Sequence, residues 1–260
     1  MIAASLISKE PIYSKSVWEQ YVGFFFSITH VSTWIQLLFS LFVSLFYFEI
    51  SENLGQHVLL NFFTAKYHKP LVEERIFMFV DMKDSTTLAE QLGHEQYFKL
   101  LRNYYQSFSD AIIKNRGEVY QYVGDEIVVT WTLTKGLEKN HCIECFFDMK
   151  TALRQKQDYF QQNFEATPDF KAALHFGKVT TGEIGALKKD IFFTGDVLNT
   201  TARILGLSNE LNEDFLISEP LSSKLKNTDT FVFNEMGTHT LKGKAQRISV
   251  FAIHQKEAIL

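Results

Sequence analysis

The sequence predicts an α+β domain that is preceded by a transmembrane helix. Two observations support this prediction. Residues 21–48 form an apolar run that contains no Asp, Glu, Lys or Arg. From Glu73 onward, segments with strand-type and helix-type patterns follow one another in a mixed order. A mixed order of this kind is typical of an α+β plan, in which helices pack against a sheet.

Length and composition limit how the chain can be organised. Its 260 residues allow one good-sized domain and an appendage. We therefore divide it into an N-terminal segment (1–20), a transmembrane helix (21–48), a juxtamembrane helix or linker (49–70) and a folded domain (71–260). The net charge of −4, without a basic stripe that carries interleaved aromatic residues, argues against a nucleic-acid-binding surface.

The apolar run 21–48 is long enough to cross a bilayer, whose core needs roughly 20 apolar residues. A signal peptide is the poorer interpretation, because its apolar region has only about 7–15 residues and a small-residue cleavage site follows it. The hydroxyl side chains of the run, with His30 and Gln36, indicate that it packs against other membrane helices or kinks near its middle. A buried core helix is the alternative.

Residues 49–67 predict a juxtamembrane helix, since Leu54, Val58 and Phe62 recur near helical spacing. Pro70 marks its end, because the residue before a proline disfavours the α region. The basic residues on either side of the apolar run do not decide its orientation in the membrane.

The folded domain opens with a strand that ends on a carboxylate. The apolar run 75–80 has the length of a strand and stops at Asp81, after which Ser85 and Thr86 open a helix-like segment. A helix N-terminus offers free backbone N–H groups to a phosphate. The Asp81 carboxylate and the Met82 carbonyl are hard oxygen ligands suited to Mg²⁺ or Mn²⁺.

A second carboxylate lies at the tip of a predicted hairpin. Residues 117–123 and 126–131 are rich in β-type residues, and Gly124 and Asp125 separate them. This tight turn projects Asp125 from the tip. Two aspartates at strand ends can share divalent metal ions, so Asp81 and Asp125 are candidate metal ligands.

The remaining elements follow from hydrophobic periodicity. They are two helices at about 85–115, a helix at about 138–163, a strand at about 170–179, a short strand pair, a helix at about 196–207 and further strands. Cys142 and Cys145 share one face of the second helical region with Phe146 and Met149. Since no second cysteine pair completes a zinc site, we assign both cysteines to core packing.

Four segments resemble the motifs of one known family, in the order of that family. Residues 79–86 resemble its first metal segment, 122–126 its second, 175–185 its H-x-G-x-V-x-x-G-x-x-G strand and turn, and 195–203 its G-x-x-x-N-x-x-x-R helix. The family is that of the class III nucleotidyl cyclases, here of the membrane-anchored bacterial type, and the resemblance extends over nearly all of residues 73–255. It implies a ferredoxin-like core with a mixed or antiparallel sheet and flanking helices.

The resemblance also implies a head-to-tail homodimer with its sites at the interface. One subunit would supply Asp81, Asp125 and the Met82 carbonyl to two Mg²⁺ or Mn²⁺ ions, and the other would supply Asn199 and Arg203. In this reaction the ribose 3′-oxygen attacks the α-phosphate and pyrophosphate leaves, so the protein provides mainly positioning and charge stabilisation. Asn199 would orient the ribose, and Arg203 would meet the charge that grows on the α-phosphoryl oxygens.

The positions that read the base depart from both branches of the family. Adenylate-type members carry lysine and aspartate or threonine where this chain has Gln121 and Phe192, and guanylate-type members carry glutamate and a small residue. The Gln121 amide can pair with adenine or another base, Phe192 can stack or pack, and Thr194 on the same strand face offers a hydroxyl. ATP is the favoured substrate on family frequency, while GTP and the pyrimidine nucleotides are the alternatives.

The triphosphate-binding lysine of the family has no direct counterpart, because an ungapped comparison places Ile248 at that position. Lys244 and Arg247, in the same predicted hairpin, are the substitutes and would act as charges on the terminal phosphates. An exposed turn residue is the alternative role for either of them.

Consumption of a nucleoside triphosphate implies that the folded domain faces the cytosol. The apolar helix would then lie in the inner (plasma) membrane, with its N-terminus outside, where a membrane-protein partner could contact it. Two other functions stay open: a nucleotide-binding regulatory module without turnover, and a membrane interaction protein in which the domain is a dimerisation scaffold.

Overall fold

The computed structural model describes residues 13–54, 67–185, 190–226, 228–241 and 247–256, together with positions 5, 9 and 11. The chain divides into two compact units, Met1–Lys66 and Tyr67–Leu260.

Two helices form most of the described part of the first unit: α1 (Lys15–Phe25) and α2 (Ile28–Leu54). The chain turns between them at residues 26–27. The apolar run predicted as one helix at 21–48 is therefore divided, and the break lies near its start rather than near its middle.

Within α2, Ile28–Ile50 is long and apolar enough to cross a membrane, by length and composition, with a mean hydropathy of 1.7. None of that stretch is buried within the described part of the chain. Residues 55–66, which contain most of the predicted juxtamembrane helix, lie outside the described residues.

Eight strands form one mixed sheet in the second unit. They are β1 (Leu71–Met82), β2 (Glu118–Val123), β3 (Glu126–Thr132), β4 (Phe170–Ile184), β5 (Asp190–Thr194), β6 (Phe215–Ser218), β7 (Phe231–Thr240) and β8 (Arg247–Gln255). Their order is β2-β3-β1-β4-β6-β8-β7, with β5 paired to β4. The β4–β6 pair is parallel, and the other described neighbours are antiparallel.

Helices flank this sheet. They are α3 (Ser85–Lys114), α4 (Leu133–Leu137), α5 (His141–Gln155), α6 (Gln157–Phe164), α7 (Asp196–Gly206), α8 (Ser208–Leu211) and α9 (Glu219–Ser222). The two helices predicted at 85–115 are confirmed as the two parts of α3, which Gly93 interrupts with a φ of 69° that favours glycine. The single helix predicted at 138–163 is wrong, because the helical backbone is interrupted at Lys156, between α5 and α6.

Alternation along β1 divides its side chains between two cores. Ile76 and Met78 face the core that contains α3, α5 and α6, whereas Phe77 and Phe79 face a second core with α7. Asp81 continues the second face at the end of the strand. The predicted α+β fold, with a mixed sheet and flanking helices, is thus confirmed.

The two cysteines belong to the first of these cores. Cys142 and Cys145 are buried free thiols on α5, and the sulfur of Cys145 lies 3.8 Å from that of Met149. Burial raises the pKa of Cys142 to about 12. Both thiols therefore act as packing groups, as the sequence predicts, because a nucleophilic or metal-binding cysteine needs an accessible thiolate.

Candidate active site

Asp81 lies in the middle of a row of charged side chains that crosses three strands. The register of β1 with β3 places Asp81 opposite Glu126, and its register with β4 places Asp81 opposite Lys171. Directly paired residues point to the same face of a sheet, so the three side chains lie side by side. The ammonium nitrogen of Lys171 is 3.4 Å from the Asp81 carboxylate and donates to the amide oxygen of Asn209 at 3.0 Å.

Asp125 occupies the turn between β2 and β3, as the sequence predicts. The turn needs Gly124, whose φ is 63°. The two aspartates interact: burial first, and then repulsion from Asp125, raises the pKa of Asp81, while Lys171 opposes the rise. Two half-buried carboxylates that repel each other form an arrangement that a bound cation stabilises.

Glu126 is a third acidic group, which the sequence analysis did not single out. Burial, followed by repulsion from Asp81 and Asp125, raises the pKa of Glu126 to about 7. The sequence marks Glu126 only by its position, since it follows Asp125 directly at the start of β3.

Lys171 was not predicted either, because it lies 90 residues from Asp81 in the chain and outside the four family motifs.

Helix α3 holds the turn that carries Asp125. The hydroxyl of Tyr105 donates a hydrogen bond to the carbonyl oxygen of Gly124 at 2.9 Å, and its ring centroid lies 4.6 Å from that of Tyr122. Burial, and then the charge of Asp125, raises the pKa of Tyr105, so its hydroxyl keeps the proton that it donates. The sequence marks Tyr105 only as an aromatic residue on a helix, which is why it was not predicted.

The residue before α3 does not cap the helix with its side chain. Asp84 stands at the cap position, but its φ is 54° and its side chain forms no capping hydrogen bond. The Asp84 side chain therefore does not cap the helix, because a capping side chain requires an extended rather than a left-handed backbone. The first N–H groups of α3, at Ser85 and Thr86, are not occupied by that carboxylate.

The strands that carry the predicted base-reading residues are β2 and β5. They contact each other through residues adjacent to Gln121 and Phe192. The backbone N–H of Phe193 on β5 donates to the hydroxyl of Tyr120 on β2 at 3.4 Å, and the two ring centroids are 4.9 Å apart. Gln121 and Phe192 follow and precede these contacting residues, and both side chains are exposed. Thr194 is exposed two positions after Phe192. The structure therefore brings β2 and β5 into contact through Tyr120 and Phe193, the chain neighbours of Gln121 and Phe192.

Asn199 and Arg203 lie one turn apart on α7. The opposite face of the helix, with Val197 and Ile204, is buried in the second core, which leaves Asn199 exposed and Arg203 half-buried. In the described part of this chain, no hydrogen bond or ion pair joins either side chain to the two aspartates. Their role would need an approach from outside the chain.

The structure describes only one of the two residues predicted to bind the triphosphate. Lys244 lies outside the described residues. Arg247 begins β8 and is exposed, which suits either a phosphate contact or a surface turn. Lys171 is instead the cation that the structure places beside the carboxylates.

The oxygen atoms of Asp81, Met82 and Asp125 fit a divalent metal that binds together with a nucleotide. Among the described residues, no group of three or more His, Cys, Asp and Glu side chains surrounds a metal position. Mg²⁺ does not require such a cage, because proteins usually hold it through one or two carboxylates and the phosphates of the substrate. Asp81 and Asp125 supply the carboxylates, and the carbonyl of Met82 follows directly.

Comparisons with known proteins agree with this geometry. Residues 68–255 match the family described as the adenylate and guanylate cyclase catalytic domain. Adenylate cyclase 2 of Rhizobium meliloti (strain 1021) is 34% identical over 209 residues, which cover 80% of this chain and 58% of that protein. The chain thus spans somewhat more than half the length of this relative.

Solved structures share the fold. A bacterial light-regulated adenylyl cyclase superimposes with a TM-score of 0.71 at 22% identity, covering 86% of this chain and 66% of that one. The adenylyl cyclase CyaB from P. aeruginosa does so with a TM-score of 0.62 at 21% identity, covering 74% of this chain and 99% of that one. Together with the family match over most of its length, these likenesses show that the chain belongs to the adenylate and guanylate cyclase catalytic domain family.

Proposed function

We propose that this protein is a membrane-anchored nucleotidyl cyclase, a phosphorus–oxygen lyase that acts at the interface between two copies of the chain. It converts a nucleoside triphosphate, with ATP favoured, to a 3′,5′-cyclic nucleotide and pyrophosphate for intracellular signalling. The observation that carries the proposal is the pair of half-buried aspartates, Asp81 and Asp125, that interact at the ends of adjacent structural elements in a chain of this family.

The reaction replaces a phosphoanhydride bond with a phosphoester bond. The 3′-hydroxyl loses its proton to water, the 3′-oxygen bonds to the α-phosphorus, and the bond from that phosphorus to the leaving pyrophosphate breaks. Little covalent work is required of the protein, so alignment and charge stabilisation account for the catalysis.

Asp81, Asp125 and the carbonyl of Met82 would hold two Mg²⁺ or Mn²⁺ ions. When bound, such ions lower the pKa of the ribose hydroxyl and neutralise charge on the phosphates. The raised pKa of Asp81 supports this role, since part of the rise comes from repulsion by Asp125 and a divalent cation would replace that repulsion with attraction.

Three features of the same chain would bind the phosphates. The N–H groups at Ser85 and Thr86 open a helix whose cap residue leaves them free of side-chain contact, and such N-termini attract anions. The ammonium group of Lys171 already lies within 3.4 Å of Asp81 and can shift to a phosphate once a metal ion neutralises that carboxylate. Arg247, with Lys244, is a further candidate for the terminal phosphates.

A second copy of the chain would complete the site. Asn199 and Arg203 lie one turn apart on α7. The amide of Asn199 would orient the ribose, and the guanidinium group of Arg203 would meet developing charge on the α-phosphate. Because the described chain does not bring them to the aspartates, a homodimer supplies them in our proposal. Each dimer then has two sites, each built from both copies.

The base would bind near the contact between β2 and β5. Gln121 can donate and accept hydrogen bonds, Phe192 can stack, and Thr194 adds a hydroxyl. This set fits no single base uniquely. The resemblance to a protein named adenylate cyclase 2 supports ATP as the substrate.

The apolar helix would anchor the enzyme. Ile28–Ile50 would cross the inner (plasma) membrane, and the unit from Tyr67 onward would face the cytosol, where nucleoside triphosphates are available. Residues 1–20, 21–48, 49–70 and 71–260 would thus serve as N-terminal segment, span, linker and catalytic domain. The exposed apolar side chains of the span leave room for a membrane-protein partner.

Product analysis tests the function directly. The full chain, purified in lipid nanodiscs, is incubated with Mn²⁺ and ATP, GTP, CTP or UTP, and the products are identified by mass spectrometry. We expect a cyclic product, most abundant with ATP and absent when the metal is chelated. Nucleotide binding by calorimetry without any cyclic product would replace the proposal with a regulatory module, and absence of both would indicate a dimerisation scaffold.

A further inference from the structure

Four charged side chains form a closed ring near the carboxylates that are proposed to bind metal. Lys83 and Lys150 each contact both Asp169 and Asp214. Lys83 lies 2.9 Å from Asp169, and Lys150 lies 3.0 Å from Asp214. Positive and negative groups alternate around the ring, so every contact within it is attractive and its net charge is zero.

The ring joins four segments that are distant in the chain. Lys83 lies in the loop between β1 and α3, Lys150 on α5, Asp169 directly before β4, and Asp214 directly before β6. Backbone contacts reinforce it: the N–H of Lys83 donates to the carbonyl of Asp169 at 2.9 Å, and the ammonium group of Lys150 donates to the carbonyl of Phe170 at 2.7 Å.

Lys150 is the most buried member of the ring, whereas Lys83, Asp169 and Asp214 are 33%, 44% and 43% exposed. The side chain of Lys150 is only 13% exposed. Burial would raise the pKa of Asp169, but hydrogen bonds from Lys150 and Lys83 outweigh it and hold that pKa below its usual value. An ionised group in such a position is stable only while its partners remain in place.

The ring lies next to the proposed metal site. Lys83 follows Met82 in the chain, and the β1–β4 register pairs Met82 with Phe170 and Asp81 with Lys171. The residues that would bind metal and phosphate are thus covalent neighbours of ring members on both strands.

A cavity lies beside the ring. Lys150, Asp169 and Asp214 also line a cavity of about 840 Å³ between α5, α6 and the ends of β4, β6 and β8. One side of the ring therefore borders open space, and its charge contacts add to the backbone hydrogen bond that joins the loop after β1 to Asp169.

We propose that Lys83, Lys150, Asp169 and Asp214 are positioning residues that fix the loop after β1 and thereby set the affinity of the site for a divalent metal and nucleotide. This inference rests on the proposed function. Groups that orient metal ligands without touching the metal typically change metal affinity or activity by about 10–100-fold when removed.

The test compares Lys150→Met with Lys150→Arg in the full chain. Calorimetry measures the affinity for Mn²⁺ in the presence of a non-hydrolysable ATP analogue. We expect Lys150→Met to weaken that affinity by about 10-fold or more, with the apparent metal requirement of turnover rising in parallel. Lys150→Arg, which retains the charge, should restore most of the affinity.

Lys114→Met is the matched control. It removes a lysine that pairs with Asp148 on the exposed side of α3, away from the carboxylates. We expect wild-type metal affinity from it. If Lys150→Met does not fold, as thermal unfolding would show, Lys83→Met at the more exposed corner of the ring decides the question by the same assay.

The outcomes separate the two proposals. Wild-type affinity in a folded Lys150→Met or Lys83→Met variant would overturn the positioning role while leaving the cyclase function standing. A wild-type protein that binds no metal–nucleotide complex would overturn the proposed function and the ring proposal with it.

Discussion

The hydroxyl of Tyr105 donates a hydrogen bond to the carbonyl oxygen of Gly124 at 2.9 Å. This contact ties the long helix α3 to the turn that presents Asp125. The adjacent Tyr104 offers a natural comparison, because its hydroxyl is buried and has no hydrogen-bond partner among the described residues. Two neighbouring tyrosines therefore differ in whether the hydroxyl is connected to the candidate site.

Tyr105→Phe should weaken metal binding without unfolding the protein. The change removes the hydroxyl, which bonds to the carbonyl oxygens of Gly124 and, at 3.4 Å, Glu126, and it keeps the ring. The turn therefore loses its fixed position while the packing survives. We expect the Mn²⁺ concentration for half-maximal activity to rise about 10-fold. Tyr104→Phe is the control, since it removes a hydroxyl with no partner, and its metal requirement should match the wild type. Equal values for both variants would contradict the positioning role of Tyr105.

Asp81→Asn and Asp125→Asn should each abolish cyclic nucleotide formation, because both ligands are needed to hold the metal ions. Arg203→Ala should do the same by removing charge stabilisation of the α-phosphate. If the sites are shared between copies, mixing an aspartate variant with Arg203→Ala rebuilds one intact site in each mixed dimer. Random pairing then restores about a quarter of the wild-type activity. No recovery in a mixture shown to contain mixed dimers would exclude the shared site.

Gln121→Lys combined with Phe192→Asp should increase the preference for ATP over GTP. The lysine and aspartate would offer a fixed donor and acceptor pattern in place of an ambivalent amide and an apolar ring. The measurement is the ratio of kcat/KM for the two nucleotides. We expect a shift of about 10-fold or more, since a site that hydrogen-bonds to one substrate's groups discriminates strongly against a substrate that lacks them. A ratio equal to that of the wild type would show that these positions do not read the base.

Glu118→Gln should lower stability and weaken its dependence on pH. Burial would raise the pKa of Glu118, but the charge of Arg75, 3.1 Å away, outweighs it and keeps the pKa below its usual value. A carboxylate with a lowered pKa contributes stability above its unfolded pKa of about 4.3, and this contribution is lost as the pH falls through the folded value.

We therefore expect Glu118→Gln to cost about 2 kcal/mol of unfolding free energy at pH 7 and much less at pH 3. Thermal unfolding of the full chain, followed by the fluorescence of the buried Trp131, provides the measurement. Exposed Glu95→Gln is the control and should leave the unfolding temperature unchanged at both pH values. A pH-independent difference between Glu118→Gln and the wild type would argue against this ion pair as the cause.

Local patterns in the sequence located the strands and turns that carry the candidate site, although β1 and β4 continue to Met82 and Ile184, beyond their predicted ends. The apolar run before Asp81, the glycine before Asp125 and the spacing of Asn199 and Arg203 are properties of neighbouring residues, so periodicity and turn chemistry predict them. The division of α3 at Gly93 follows from the same kind of information. The interruption at Lys156 does not, because no glycine or proline marks it.

Contacts between distant segments were decided only by the tertiary structure. Lys171 comes beside Asp81 through the β1–β4 register, Tyr105 reaches Gly124 because α3 packs across the hairpin, and the charged ring closes through four separate segments. No local period encodes which strand pairs with which. The sequence by itself therefore determined that Asp81 follows an apolar strand and that Asp125 lies in a turn. Long-range pairing determined which charges and hydrogen bonds surround them, because only the folded chain brings such groups within a few ångströms of each other.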